Sequence, residues 1–148
     1  QFGDTYFIGK NGVEIIVNQT VLFNGFIYAA TNNGIKRAAI SNKNLVDFSQ
    51  WETIAAGNWF GIAALGSDLF AVNTAGYIHK YNANTNSFTG YLALSSPALD
   101  MRATAGYLTV TTVNSIYIYN SQMALVRQIN TNQITESTPR FNCATIIF

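Results

Sequence analysis

The segment LFAVNTAG (residues 69–76) decides the fold, because two other parts of the chain repeat its pattern without a gap. These parts are IYAATNNG (residues 27–34) and LTVTTVNS (residues 108–115). Their last residues are Gly34, Gly76 and Ser115, so the pattern recurs after 42 and then after 39 residues. Each copy follows an apolar stretch with a turn and precedes an alternating strand. Repeats of about 40 residues with four strands each are typical of β-propeller blades.

The second unit shows the strand order that we expect in each blade. An innermost strand of small residues at 62–65 is followed by strands at 69–73, 77–81 and 88–94. The corresponding outer strands of the first and third units are at 51–54 and 125–129. Gly34 and Gly76 end the turn between the second and third strands, where glycine tolerates a positive φ. We therefore predict that both glycines adopt this conformation.

We predict an all-β fold, a β-propeller with three full four-stranded blades at about residues 19–57, 58–97 and 98–136. Residues 1–18 are predicted to form a partial blade with strands at 5–8 and 13–17, and residues 140–148 a terminal inner strand. This split blade closes either within one chain or between two copies, and the second arrangement predicts a homodimer that completes the ring. A β-sandwich or barrel is the alternative, since it also has short strands with regular turns.

The composition excludes several classes of protein. Of 148 residues, 49% are hydrophobic and only 10% are charged, which excludes a disordered chain. The net charge of +1 gives no basic patch for nucleic acid, and no apolar run reaches the roughly 18 residues of a membrane-spanning helix. Cys143 is the only cysteine, so the chain cannot form an internal disulfide. With one cysteine and one histidine, it also lacks the ligands for a structural zinc site of the usual kinds.

The side chains that could carry chemistry are isolated in the sequence. His79 alternates with strand residues and has no nucleophile or carboxylate assigned to it, and Cys143 has no cationic neighbour in the sequence. We therefore predict no catalytic, metal or cofactor site and no enzymatic activity. Trp51, Trp59, Phe60, Tyr91 and Tyr107 could build a platform for a peptide or a sugar, although blades usually bury such rings. Trp59 and Phe60, at the entry to a blade, are the predicted exposed interaction surface.

The stretch FNGFIYAATNNGIKRA (residues 23–38), followed by NLVDFSQW (residues 44–51), resembles a blade of the PorZ-like propellers. These are surface proteins of Bacteroidetes that belong to the type IX secretion system. The resemblance implies a scaffold in the cell envelope, periplasmic or at the cell surface, that binds protein partners or a surface glycan. The same stretch is similar to the two-component-regulator propellers, which implies instead a ligand sensor of a periplasmic hybrid kinase. A carbohydrate-binding or lyase propeller is a further alternative.

Overall fold

The computed structural model describes residues 15–41, 50–73, 75–94 and 96–130, together with the backbone of residues 5–6. These residues form three antiparallel sheets with thirteen strands. The strands of the first sheet are β1 (Thr5–Tyr6), β2 (Ile15–Phe23), β3 (Phe26–Thr31), β4 (Gly34–Ala39) and β5 (Glu52–Ala55). Those of the second are β6 (Trp59–Leu65), β7 (Asp68–Asn73), β8 (Tyr77–Asn82) and β9 (Ser87–Ala93). Those of the third are β10 (Ala98–Thr104), β11 (Tyr107–Thr112), β12 (Ser115–Tyr119) and β13 (Leu125–Asn130).

Each sheet contains one four-stranded meander, which confirms the strand order predicted from the repeat. The strands follow one another from β2 to β5, from β6 to β9 and from β10 to β13. We call these meanders the first, second and third blades. The innermost strands β2, β6 and β10 lie side by side, with β6 in contact with both of the others. The blades therefore meet at their innermost strands, as in a propeller.

The second blade is buried on both faces because alternate residues of a strand point to opposite sides. On β7, Leu69 and Ala71 pack towards the first blade, whereas Phe70 and Val72 pack towards the third. The small residues of β6 divide in the same way, with Ala64 on one side and Ala63 on the other. This explains why residues 62–65 and 69–72 read as continuous apolar runs rather than as alternating ones.

The repeated segments form the turn between the second and third strands of each blade. Gly34 and Gly76 have φ values of 106° and 79°, as predicted from the sequence. A side chain at the fifth repeat position caps each turn. The Thr31 hydroxyl accepts a hydrogen bond from the Asn33 N–H at 3.0 Å. Likewise, Asn73 Oδ1 accepts one from the Ala75 N–H at 2.9 Å, and the Thr112 hydroxyl accepts one from the Ser115 N–H at 3.0 Å. The repeat therefore encodes a capped hairpin.

The amino-terminal part differs from the predicted division between residues 18 and 19. Thr5 and Tyr6 pair antiparallel with Ile16 and Ile15, while residues 7–14 of the predicted hairpin lie outside the described residues. However, β2 continues through residue 18 to Phe23 and is itself the innermost strand of the first blade. It pairs with β1 along one edge and with β3 along the other, and its register with β3 shifts at a bulge between Val17 and Gln19. The predicted strand at 140–148 lies outside the described residues.

Candidate interaction surface

Trp59 is buried, and its predicted exposure is wrong. Only 4% of the residue is accessible, because its ring packs between the first and second blades. Its indole Nε1 donates a hydrogen bond to the Ala56 carbonyl at 2.8 Å, and its ring meets that of Phe88 at 6.0 Å. Phe60 is partly buried against the cluster between the second and third blades. The two neighbours point to opposite faces of their strand, so they cannot form one exposed surface.

A bulge at the same position of each innermost strand brings three repeat-equivalent residues together. The register shifts between Val17 and Gln19, between Trp59 and Gly61, and between Ala98 and Asp100. The residues that end these bulges, Gln19, Gly61 and Asp100, recur with the spacing of the repeat. A bulge changes the direction in which side chains point, and here the Gln19 side chain extends across the neighbouring innermost strand, β6.

Gln19 links all three blades through its side-chain amide. Its Nε2 donates to Asp100 Oδ1 at 3.1 Å and to the Met101 carbonyl at 2.9 Å, while its Oε1 accepts the Ile62 N–H at 3.0 Å. Gly61 makes this crossing possible, because a Cβ at that position would lie 2.6 Å from Gln19 Oε1. Asp100 Oδ2 in turn accepts a hydrogen bond from Arg102 Nε at 3.0 Å. We call this arrangement the central junction.

A second polar cluster joins the first and second blades around Arg37. Its Nη1 donates to the hydroxyls of Tyr28 at 3.1 Å and Tyr81 at 3.2 Å, and its Nε pairs with Glu52 at 2.6 Å. The guanidinium lies 4.3 Å from the ring centroid of Phe26. Burial raises the pKa of Tyr28, although the hydrogen bond from Arg37 lowers it in part. Burial opposes the charge of Arg37, but its hydrogen bonds with Tyr28 and Glu52 raise its pKa above the ordinary value.

An open groove lies at one end of the first and second blades. It has a volume of about 390 Å³ and is lined by Phe23 and Asn24 from the first blade and by Asp68, Lys80 and Tyr91 from the second. We call it the end groove. Lys80 Nζ lies 3.7 Å from Asp68 Oδ1 and 5.2 Å from the ring centroid of Tyr91. The groove thus presents one carboxylate and one exposed aromatic ring to solvent.

The remaining predicted chemical groups do not form a reaction centre in the described part of the chain. The ring of His79 meets that of Trp59 edge-on at 4.9 Å, and burial lowers its pKa below 6.5. Among the residues that the structure describes, no three His, Cys, Asp or Glu side chains are grouped to hold a metal ion, and no helix is long and apolar enough to cross a membrane. Cys143 lies outside the described residues. That the chain binds no cofactor stays a prediction.

Sequence reasoning missed the end groove, although it named one of its residues. Tyr91 was among the aromatic candidates, and 44% of it is accessible. Asp68 and Lys80 are single charges in the sequence, twelve residues apart on neighbouring strands. Asp68 precedes the continuous apolar run at 69–72, so the sequence does not show which face of the strand its side chain occupies, or that the two charges meet.

Comparison with solved structures supports the β-propeller fold, because the chain is similar to WD40 propeller structures at low sequence identity. The chain matches the structure of U3-55K with a TM-score of 0.59 and 11% identity over 81% of its residues. It matches the RRP9 WD40 repeats with a TM-score of 0.60 and 12% identity over 83%, and the Neurospora crassa Pan2 WD40 domain with 0.58 and 8% over 78%. These matches cover 41%, 41% and 36% of the three solved chains. No protein-family model and no curated protein matches the sequence.

Proposed function

We propose that the chain is a non-enzymatic scaffold that binds protein partners through the ends of its blades. The observation that carries this proposal is the central junction, in which one side chain, Gln19, fixes three innermost strands relative to one another. Together with the apolar layers between the blades, it makes a rigid frame for the exposed turns. Binding residues are commonly placed on loops that a rigid scaffold positions.

The polar side chains of the described blades support a structural rather than a chemical use. Arg37 is engaged with Tyr28, Tyr81 and Glu52, and Asp100 is engaged with Gln19 and Arg102. Each of these groups holds strands or blades together. A catalytic group would instead need hydrogen-bond reach to a substrate in a cleft. One of the similar solved chains belongs to a mitotic checkpoint complex, which is compatible with a protein partner.

Within this role, we propose that the chain is a component of a PorZ-like cell-envelope protein of the type IX secretion system. Support comes from residues 23–51, which carry the resemblance and include the second and third strands of the first blade, β3 and β4. The motif forms a capped turn and contains no reactive group, so it suits a scaffold. A second copy of the chain is the other protein partner that the sequence predicts.

Site-specific photo-crosslinking in the native host tests this function. A photoreactive phenylalanine analogue replaces exposed Leu22, Tyr91 or Leu125 one at a time, with the buried Phe70 as the matched control position. We expect a discrete protein adduct at one exposed position and none at Phe70, and the same adduct from the purified proteins. Adducts with envelope proteins would support the PorZ-like placement, and an adduct of twice the chain mass would indicate a homodimer. Adducts with glycan alone, or none at any exposed position, would overturn the scaffold proposal.

A further inference from the structure

The end groove holds a cation of the protein itself. The Lys80 ammonium lies between the Asp68 carboxylate, at 3.7 Å, and the Tyr91 ring, at 5.2 Å. A carboxylate and an aromatic face are the two features that attract a positively charged side chain. Lys80 therefore shows which chemistry this part of the groove accommodates.

The walls of the groove are held in place by the core, whereas Lys80 is a long and partly exposed side chain. The Tyr91 ring packs against Phe70, which is fully buried, with 5.9 Å between centroids. Across the groove, the Tyr81 hydroxyl is fixed by Arg37 and donates to Asn86 Oδ1 at 2.6 Å. The Lys80 side chain has four flexible bonds and reaches the ring from a neighbouring strand. A binding site with rigid walls and one movable occupant can exchange that occupant without rearranging the fold.

The contact between Lys80 and Asp68 is weak enough to be exchanged. Their side chains are 36% and 42% accessible, and an exposed ion pair at this distance contributes little to stability. An arginine side chain would use the same two partners better than lysine does. Its planar guanidinium stacks on an aromatic ring and binds a carboxylate with two parallel hydrogen bonds, neither of which an ammonium can do.

We propose that the end groove binds an arginine side chain of a protein partner, which displaces Lys80 from Asp68 and Tyr91. The proposal rests on the scaffold function and names the surface and the chemistry of the partner. Lys80 is then an internal competitor that lowers the affinity of the groove for weaker cations. Phe23 and Asn24 on the opposite side would contact the chain that carries the arginine.

An NMR titration of the chain with the blocked peptide acetyl-Gly-Arg-Gly-amide tests this proposal. The same peptide with citrulline, which has the arginine shape without the charge, is the control ligand. We expect saturable shifts of the Asp68, Lys80 and Tyr91 amides with the arginine peptide, and none with citrulline. Asp68→Asn and Tyr91→Leu should each weaken binding by about two- to fivefold, the range of an exposed ion pair or cation–π contact.

The variant Lys80→Met distinguishes displacement from simple attraction. It should tighten binding by about two- to fivefold, because the internal competitor is removed. Arg127→Met, which removes an equal charge from the exposed outer strand of the third blade, should leave binding unchanged. Tyr77→Leu is the control for Tyr91→Leu, since Tyr77 is 47% accessible on the same blade but does not line the groove.

Three results would overturn the proposal. The first is the absence of saturable shifts when the unmodified chain is titrated with the arginine peptide. The second is equal binding of the citrulline peptide. The third is unchanged or weaker binding of the arginine peptide by a Lys80→Met protein whose amide spectrum shows that it is folded. If the groove fails these tests while photo-crosslinking still gives a protein adduct, the partner binds elsewhere and the scaffold function stands. If both experiments fail, the scaffold function fails as well.

Discussion

The two interfaces between blades use different chemistry. Between the first and second blades, the fully buried Tyr28 carries a hydroxyl that Arg37 holds, and Tyr81 completes the cluster. Between the second and third blades, the fully buried large side chains are all apolar: Phe70, Val72, Ile78, Met101, Leu108 and Val110. The tyrosines of this cluster, Tyr117 and Tyr119, are less deeply buried.

This difference shows two ways in which repeated blades are joined. The first interface depends on the position of single polar atoms, because a hydrogen bond is lost when one atom is removed. The second depends on volume, because an apolar layer loses stability when a cavity opens in it. Stability should therefore respond to different substitutions on the two faces of the second blade.

The largest effect is expected for Phe70→Ala at the second interface. Removal of a buried ring leaves a cavity and should lower the free energy of unfolding by about 3–5 kcal/mol. The adjacent Leu69→Ala, which opens a smaller cavity at the first interface, is the matched variant. Urea-induced unfolding followed by fluorescence measures both. A Phe70→Ala protein as stable as the unmodified chain would show that this interface is not tightly packed.

A smaller but asymmetric effect is expected at the two turn glycines. Gly76→Ala should lower the free energy of unfolding by about 1–2 kcal/mol, because alanine is strained at a positive φ. No steric clash adds to this, since the atom nearest to the new Cβ, the Leu94 oxygen, is 3.9 Å away. In Gly34→Ala the new Cβ would lie 2.5 Å from the Ala55 oxygen, and this clash should destabilise the fold by about 1–3 kcal/mol more than the positive φ alone. Ala55 packs on the first interface and Leu94 on the second. Equal unfolding midpoints for the two variants would contradict this asymmetry.

Gln19→Leu tests the central junction, which both interfaces share. The substitution leaves the Ile62 N–H and Asp100 without their amide partner and should lower the free energy of unfolding by about 1–3 kcal/mol. Thr20→Val, on the next residue of the same strand, is the control. Hydrogen exchange should show faster exchange of the Ile62 amide in Gln19→Leu. Unchanged protection of that amide would mean that the amide bridge does not hold the strands together.

Tyr28→Phe separates the polar contribution of the first interface from its packing. The ring stays and one hydrogen bond to Arg37 is lost, so stability should fall by about 1 kcal/mol. The control is Tyr77→Phe, because Tyr77 is exposed and its substitution should change little. If the two variants unfold at the same denaturant concentration, the hydroxyl of Tyr28 contributes nothing to the contact between blades.

The smallest effect is a pH dependence at the first interface. Burial lowers the pKa of His79 in the folded chain below 6.5, so the unfolded chain binds more protons between the two pKa values. Stability from His79 is therefore present above pH 6.5 and is lost as pH falls through the lower pKa of the folded state. Unfolding measured between about pH 7 and pH 5 should show this loss, and His79→Gln should reduce the slope. An identical slope in the variant would exclude His79 as its source.

The repeat predicted the blades because each one depends on local signals. The turns after residues 31, 73 and 112 need a capping side chain and a short hairpin, and both are visible in the sequence. Strand β2 runs from Ile15 to Phe23 and so crosses the predicted boundary at residue 18, which lies in a polar stretch that resembles a loop. The exposure of Trp59 was misjudged because the position of a ring next to a turn does not tell which face of the strand it occupies.

The sequence by itself determined the strand order, the turn conformations and the apolar character of both faces of the second blade. These features follow from contacts within about ten residues, where side-chain type and spacing are sufficient. Only the tertiary structure decided that Gln19, Gly61 and Asp100 meet, and that Asp68, Lys80 and Tyr91 border one groove. The first set joins three blades across 81 residues of chain. Such contacts depend on the angle and register at which whole sheets pack, and a side chain's identity does not specify them.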